Sequence, residues 1–523
     1  MEQQWQYVNR ETFQNYSIKP IQTVVEADSA LSGGLRDECK IYYCGANAYI
    51  RSAEVLGGKI NAEGRIHFRV LYAQGDMKKI LPMEVDADFS QYIMMPTDND
   101  EYTQTSISVK CSVLQTRAHV QNGRIQLRAI LQLNGYVRAM QNISCVSILP
   151  EANHIQCLTE TIDSQRICGE GEVQSMLKDE VDLSDLLQVQ DTLLADAHAV
   201  VEDIRTTSAN SVCVTGSVMI DAYHTSAMPQ RPLIVSHHKI PYEQEISFSG
   251  KSSSIISAQT SVRDIAVVST DSKDEMSEKH MRCEVLLHTH VKAVEEERYA
   301  VLKDAYPVSE QIFTSSSQQV NYTQEFIEEE IAESGRLTVN LSANAPRIRQ
   351  ALLTFLNPIL VRKRKTGSKL LTDGTMQIFV IYLTDSDDIP VTAEVELPFS
   401  AAFSSKAVPD DHISLSVSEA SVQSITSERM EIKYLLHMHA EGEHNYSAAT
   451  LTSIEAAANS SLEQKHNGII LRYVQQNETL WDIGKQFRIP TEIIQNENNL
   501  KENQVLCGEA LVICGISQSQ HHT

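Results

Sequence analysis

A short strand motif led by glycine is written three times along this chain, and that repetition limits the folds open to it more than any other feature. It reads Gly374-Thr-Met-Gln-Ile-Phe-Val-Ile-Tyr382, then a polar turn over 384–388, then Pro398-Phe399-Ser400. Near the start it is Gly64-Arg-Ile-His-Phe-Arg-Val-Leu-Tyr72, then Gln74-Gly75-Asp76, then Asp88-Phe89-Ser90. In the middle it is Gly216-Ser-Val-Met-Ile-Asp-Ala-Tyr223, a longer loop through Pro229-Gln230-Arg231-Pro232, then Ser247-Phe248-Ser249. The three glycines lie a domain's length apart, so each copy heads a domain-sized unit and not a solenoid repeat. Ile66, Phe68, Val70 and Tyr72 alternate with Arg65, His67 and Arg69, the period of two that puts apolar groups on one face of a strand. Met376, Ile378, Val380 and Tyr382 do the same, as do Val218, Ile220 and Ala222, although the middle tyrosine falls one place early. A glycine at such a strand start suits a place where a side chain would clash.

The rest of the chain is consistent with that plan. A length of 523 residues predicts three to four domains. With 42% hydrophobic and 21% charged residues the composition is that of globular proteins able to bury several cores. Net charge is −24, which argues against nucleic acid or an anionic membrane as the main partner. The start Met1-Glu-Gln-Gln-Trp5 has no basic and apolar export signal, and no apolar run is long enough to span a bilayer. Ten cysteines without a Cys-x-x-Cys pair predict reduced, mostly buried thiols and a cytoplasmic setting.

In chain order, residues 1–20 read as a loose arm, and the first unit covers 21–150. Gln121-Asn122-Gly123 is a hairpin turn signal, followed by a strand with Ile125, Leu127, Ala129, Leu131 and Leu133 on one face. A polar link at 151–171 leads to a second unit at 172–310. There 184–205 looks helical by itself, but the repeat sets it against a strand at 47–53, and the repeat reading is preferred. The link Ser315-Ser-Ser-Gln-Gln319 leads to a third unit at 320–453. A small, polar stretch at 454–467 reads as a flexible tether to a compact end unit at 468–515. The fold class expected is mainly β, with a small α+β end.

The triplicated unit resembles the SPOCS domain, found in proteins of endospore-forming bacteria and linked to assembly of the spore coat and cortex. The resemblance rests on the glycine-led strand ending in tyrosine and on the later Phe89-Ser90, Phe248-Ser249 and Phe399-Ser400. The end unit resembles a LysM domain. It carries Tyr473-Val-Gln-Gln-Asn-Glu-Thr-Leu-Trp-Asp-Ile-Gly-Lys-Gln-Phe487, Ile489-Pro-Thr-Glu-Ile-Ile494, Asn496, Asn498-Asn-Leu500 and Gly508-Glu-Ala-Leu-Val-Ile513. The residues independently support a strand–helix–helix–strand order. Leu480, Ile483 and Phe487 recur at helical spacing, Pro490 breaks that helix, Thr491 can cap the next, and Leu511 and Ile513 alternate on a closing strand.

The LysM resemblance implies a shallow groove between two loops, which in many such domains holds N-acetylglucosamine polymers through backbone groups. Carried over, one wall is Asn477, Glu478, Thr479 and Leu480, and the other is Cys507, Gly508 and Glu509. Here the usual Gly-Asp is Asn477-Glu478, the usual Pro is Cys507 and the usual Gln is Glu509. Proteins joining SPOCS and LysM domains resemble coat-morphogenesis adaptors whose LysM part engages a coat-basement ATPase. The expectation is therefore a non-catalytic sporulation adaptor in the mother-cell cytoplasm, associating with the forespore or spore coat surface. Peptidoglycan glycan chains are the alternative ligand.

Other motifs carry less. His288-Thr-His290 and His437-Met-His439 could share a strand face as metal ligands do, but each pair lacks a third ligand, so the expectation is no metal. Gly250-Lys251-Ser252 resembles the end of a phosphate loop, yet residue 245 is Glu and no helix follows. Arg362-Lys-Arg-Lys365 reads as an exposed strand or turn, with an acidic partner as the sharper alternative. Glu295-Glu-Glu297 and Glu328-Glu-Glu330 read as solvated. No Ser/His/Asp or Cys/His arrangement stands out, and neither an enzyme nor a cofactor is expected.

Overall fold

The computed structural model describes residues 6–31, 39–75, 79–96, 104–147, 155–183, 189–249, 255–271, 279–308, 313–386, 388–456, 468–500 and 505–514. Among them, the strands before residue 457 fall into three sets of six. The first set is β1 (Tyr7–Ala30), β2 (Cys39–Leu56), β3 (Lys59–Gln74), β4 (Ile80–Met94), β5 (Gln104–Gln121) and β6 (Arg124–Val146). The second is β7 (Ile155–Asp182), β8 (Val189–Ser208), β9 (Ser211–Ser226), β10 (Leu233–Ser247), β11 (Ile255–Asp271) and β12 (Lys279–Pro307). The third is β13 (Phe313–Asn340), β14 (Ile348–Thr366), β15 (Lys369–Thr384), β16 (Val391–Ser404), β17 (His412–Thr426) and β18 (Arg429–Ala456). Every set makes the same two antiparallel three-stranded sheets. The middle three strands form a meander, β2-β3-β4, β8-β9-β10 or β14-β15-β16. The outer three close with the last strand in the centre, β1-β6-β5, β7-β12-β11 or β13-β18-β17.

The glycine-led stretches are the central strands β3, β9 and β15, paired on both sides. Gly64 lies opposite Phe89 and Gly374 opposite Phe399. A Cβ on Gly374 would stand 2.6 Å from Phe399 Cε1, so a ring occupies the space where a side chain would be. The middle copy corrects one sequence reading. Gly216 faces Tyr242, and Phe248 lies beyond the end of β10 against Gly171. By pairing register Tyr242 is the counterpart of Phe89 and Phe399, so Phe248-Ser249 matches the other Phe-Ser pairs in sequence but not in position. The early tyrosine is explained similarly. Tyr72, His224 and Tyr382 share one register position, whereas Tyr223 matches Leu71 and Ile381.

Several segment boundaries differ from expectation. Residues 7–20 are no arm but half of β1, paired with β6. The polar link at 151–171 is strand from Ile155, and Ser315–Gln319 lies inside β13. Polar composition misleads here because these strands expose alternate residues to water. The 184–205 stretch is strand from Val189 onward, as the repeat required. Asn122 and Gly123, with φ of 52° and 71°, form the predicted turn between β5 and β6. Residues 457–467 and Gly250-Lys251-Ser252 lie outside the described residues.

The three sets are fused and do not hang as beads. β2, β8 and β14 each carry a bulge at an equivalent place, at Tyr42, Leu193 and Leu352. A bulge turns two successive side chains toward one side. Tyr42-Tyr43, Leu193-Leu194 and Leu352-Leu353 thereby join Leu71, Tyr223 and Ile381 in one buried cluster. Tyr43 stacks on Phe355 at 3.7 Å, and Tyr223 meets the same ring at 4.5 Å. Beside them the buried Arg69 pairs with the half-buried Asp196 and donates to the Ala195 carbonyl at 2.9 Å. A second junction joins the outer sheets through Ile143, Ile162, Val301, Val320, Tyr322 and Ala448.

Polar groups also cross between sets, which corrects the reading of 328–330 as solvated. Glu328 pairs with Lys292 at 3.4 Å and Glu330 meets His198 at 2.7 Å, both across to the second set, while Glu329 accepts from the Lys406 N–H at 3.1 Å within the third. Lys292 also reaches Glu441 at 3.0 Å. The chain ends in β19 (Ile469–Tyr473), α1 (Leu480–Phe487), α2 (Thr491–Glu497) and β20 (Ala510–Cys514), with β19 and β20 paired. The molecule is thus mainly β with a small α+β end.

Candidate functional site

The end unit has its own core, in which Val474, Leu480, Ile483, Ile494, Leu511 and Ile513 are buried together. Thr479 starts α1 with a capping box. Its hydroxyl accepts from the Asp482 N–H at 3.2 Å, and the Asp482 carboxylate accepts from the Thr479 N–H at 2.9 Å. Arg488, left-handed at φ 54°, ends the helix. Thr491 does not cap α2: Pro490 holds the cap position and makes no side-chain bond there. Proline's fixed φ already sets the entry to that helix.

The residues expected to line a groove fall on two adjoining loops. Gly508 N–H donates to the Val474 carbonyl and Val474 N–H to the Glu509 carbonyl, both at 2.9 Å. Asn477 and Gly508 are left-handed, at φ 62° and 83°, and both are exposed, as is Cys507. The two acids are occupied in holding their loops. Glu478 accepts from Arg472 Nη2 at 2.9 Å and from the Gln475 N–H at 2.8 Å, and Glu509 accepts from the Leu506 N–H at 2.9 Å. Leu480 departs from the expected wall, because its side chain is core, 1% exposed. Helical spacing from Leu480 to Ile483 already pointed inward.

Sequence reasoning missed two further features. On the outer face of the β19–β20 sheet Ile469, Leu471 and Tyr473 are 76%, 57% and 55% exposed, with Leu506 nearby in sequence at 76%. The signal was the run Ile469-Ile470-Leu471, apolar on both faces where one face suffices for a small core. Secondly, α1 is seated on the end of β12, so the reading of this unit as loosely tethered is corrected. Trp481 Nε1 donates to Asp304 at 2.9 Å, Lys485 reaches the same carboxylate at 2.6 Å, and the Tyr306 hydroxyl donates to the Ile489 carbonyl at 2.9 Å. The Tyr306 and Trp481 rings meet edge to face at 4.7 Å.

Elsewhere, the histidine pairs are not on an open face: His288 is held by residues of its own set, and the second set covers His437. His288 contacts Glu172 at 3.2 Å and Arg263 at 3.1 Å. The His437 ring lies tilted against His198, with ring centres 3.9 Å apart, and its Nε2 meets the Ser418 hydroxyl at 2.8 Å. Burial, with His198 alongside, pushes the His437 pKa down to about 3, so the ring is neutral. His439 stays apart from that pair, 3.9 Å from Glu328. A cavity of about 230 Å³ where the sets meet is lined by Arg69, Asp196, His198, Asp221 and Cys44 among others. Arg69 neutralises Asp196, His237 holds Asp221 at 2.7 Å, and burial drives the Cys44 thiol up to about 12, so this wall presents no activated nucleophile. In the basic run, Arg362 and Arg364 pair with Asp373 at 3.1 and 2.8 Å, while Lys363 donates to the Asp411 carbonyl at 2.6 Å. None of the ten cysteines forms a disulfide, and Cys507 alone among them is exposed. Among the described residues no helix is long and apolar enough to cross a membrane.

Comparison with known families agrees with these units. Residues 39–121 match the model of the SipL, SPOCS domain, and residues 473–513 match the LysM domain. No curated protein and no solved structure matches the chain. The SPOCS match runs from β2 to β5, inside the first of the three sets that share one strand order.

Proposed function

We propose that this chain, which carries a SPOCS domain and a C-terminal LysM domain, is a non-catalytic adaptor in spore coat or envelope assembly, and that its LysM domain docks a protein partner. The observation that carries the reading is the solvated apolar face of Ile469, Leu471 and Tyr473. A small domain gains nothing in its own core from such a face, and exposed apolar patches mark interaction surfaces. Seating α1 on β12 leaves that face and both loops open while limiting the orientations of the domain. The three fused sets then act as a rigid platform, and contacts made by several such molecules on one surface add through effective concentration. A coat-basement ATPase in the mother-cell cytoplasm is the partner in this reading, with the adaptor held at the forespore or coat surface.

Peptidoglycan is the second reading, and the exposed left-handed backbone at Asn477 and Gly508 favours it, since such loops present backbone groups to a sugar. One experiment separates the two. The full chain and its Leu471→Glu form are mixed with insoluble peptidoglycan, and each is also isolated from sporulating cells with its bound partner. The adaptor reading expects no sedimentation with the wall, and partner recovery that falls at least tenfold in the Leu471→Glu form. Sedimentation with peptidoglycan, with partner recovery unchanged by Leu471→Glu, would reverse it.

A further inference from the structure

Three side chains that lie far apart in the sequence converge where the second and third strand sets meet. His198 comes from β8, Glu330 from β13 and His437 from β18, and one possible ligand atom of each lies within 4.8 Å of the others. His198 Nε2 faces Glu330 Oε1 at 2.7 Å, and the two imidazoles overlap with ring centres 3.9 Å apart. Two hydroxyls also reach these rings. Ser416 and Ser418, on the same face of β17, place their hydroxyls 3.4 Å from His198 Nδ1 and 2.8 Å from His437 Nε2.

We propose that His198, Glu330 and His437 form a zinc-binding site that clips the second strand set to the third. Two imidazoles and one carboxylate make an established donor set for Zn²⁺, which takes nitrogen and oxygen at about 2.0–2.2 Å and leaves a fourth position for water. His198, Ser416 and Ser418 all border the central cavity, so solvent can supply that fourth ligand. The carboxylate sits on the more flexible side chain and is the donor able to adjust when the metal enters. Hydroxyls bonded to the imidazoles are the kind of outer partner such sites use to fix ring orientation. Because the donors come from two strand sets, metal binding requires those sets to be docked. By linkage it stabilises that docking. Adjacent-histidine spacing has no part in this: His439, two residues from His437, is not a ligand.

Co²⁺ serves as the spectroscopic probe on the full chain, with Zn²⁺ as competitor. One Co²⁺ per chain is expected, with the visible bands of a four-coordinate site that Zn²⁺ abolishes and a melting temperature that rises with added Zn²⁺. The near-isosteric Glu330→Gln and the His198→Gln forms are each expected to lose these bands while keeping the far-ultraviolet circular dichroism of the parent. Ser418→Ala is expected to weaken the metal roughly 10- to 100-fold. His67→Gln, outside the site, keeps full binding. Absence of the bands from the parent chain overturns the proposal without recourse to any variant, and so does their persistence in the Glu330→Gln, His198→Gln double form.

Discussion

The glycine of each central strand is the residue whose replacement is easiest to argue. At Gly374 an added methyl would meet the Phe399 ring at 2.6 Å, and at Gly216 the Tyr242 hydroxyl at 2.7 Å. Both rings are packed in their sheets and cannot swing away freely. Gly374→Ala is therefore expected to destabilise the protein by about 1–3 kcal/mol, the usual range for overpacking, measured by urea unfolding. His224 is a different case, because its place holds Tyr72 and Tyr382 in the other sets. It is fully buried between Thr192 at 3.0 Å and Ser236 at 2.7 Å. Burial first, and then the neighbouring His238, lowers its pKa to about 4. The unfolded chain thus binds this proton from about pH 6.5 downward, and the folded chain only near pH 4. Stability falls across that window as pH drops, by about 1.4 kcal/mol per pH unit for the one proton. His224→Tyr is expected to flatten that part of the stability–pH curve, as followed by thermal melts.

Among elements, helix α1 and the end of β12 form the contact most open to test. Asp304 accepts from both Trp481 and Lys485, and it lies three-quarters buried beneath them. Asp304→Ala removes a bond to a charged acceptor worth about 1.5–3 kcal/mol, most of it from Trp481, since Lys485 is half exposed. The expected result is an end unit released but still folded, because its core is internal to it. Trp481 emission should shift to longer wavelength while helix content is unchanged. If the emission does not move, Tyr306 and its bond to the Ile489 carbonyl hold the contact alone. The elements themselves were largely legible in the sequence. Alternation exposed β3, β6 and β15, and helical spacing exposed α1. The edge strands were not, because β1, β7 and β13 are polar on one side and read as links.

At the scale of the whole molecule, the shared aromatic centre makes the three strand sets cooperative. Phe355 of the third set stacks on Tyr43 of the first and meets Tyr223 of the second. Phe355→Ala opens a cavity among all three and is expected to cost about 3–5 kcal/mol. Calorimetry should give one transition for the strand sets in the parent chain, separate from that of the end unit. Three resolved transitions would show that the sets unfold independently. What the chain's order alone established is the plan of each part: a glycine-led strand repeated three times, sheets built around it, and a small helical unit at the end. Those features follow from contacts within tens of residues, where periodicity and turn chemistry act directly. Only the tertiary structure decided which faces meet. The bulges at Tyr42, Leu193 and Leu352, the seating of α1 on β12, and the meeting of His198 with Glu330 and His437 all join residues remote in sequence. Local patterning specifies a face as apolar or polar, but the partner of that face is settled by packing across the whole chain.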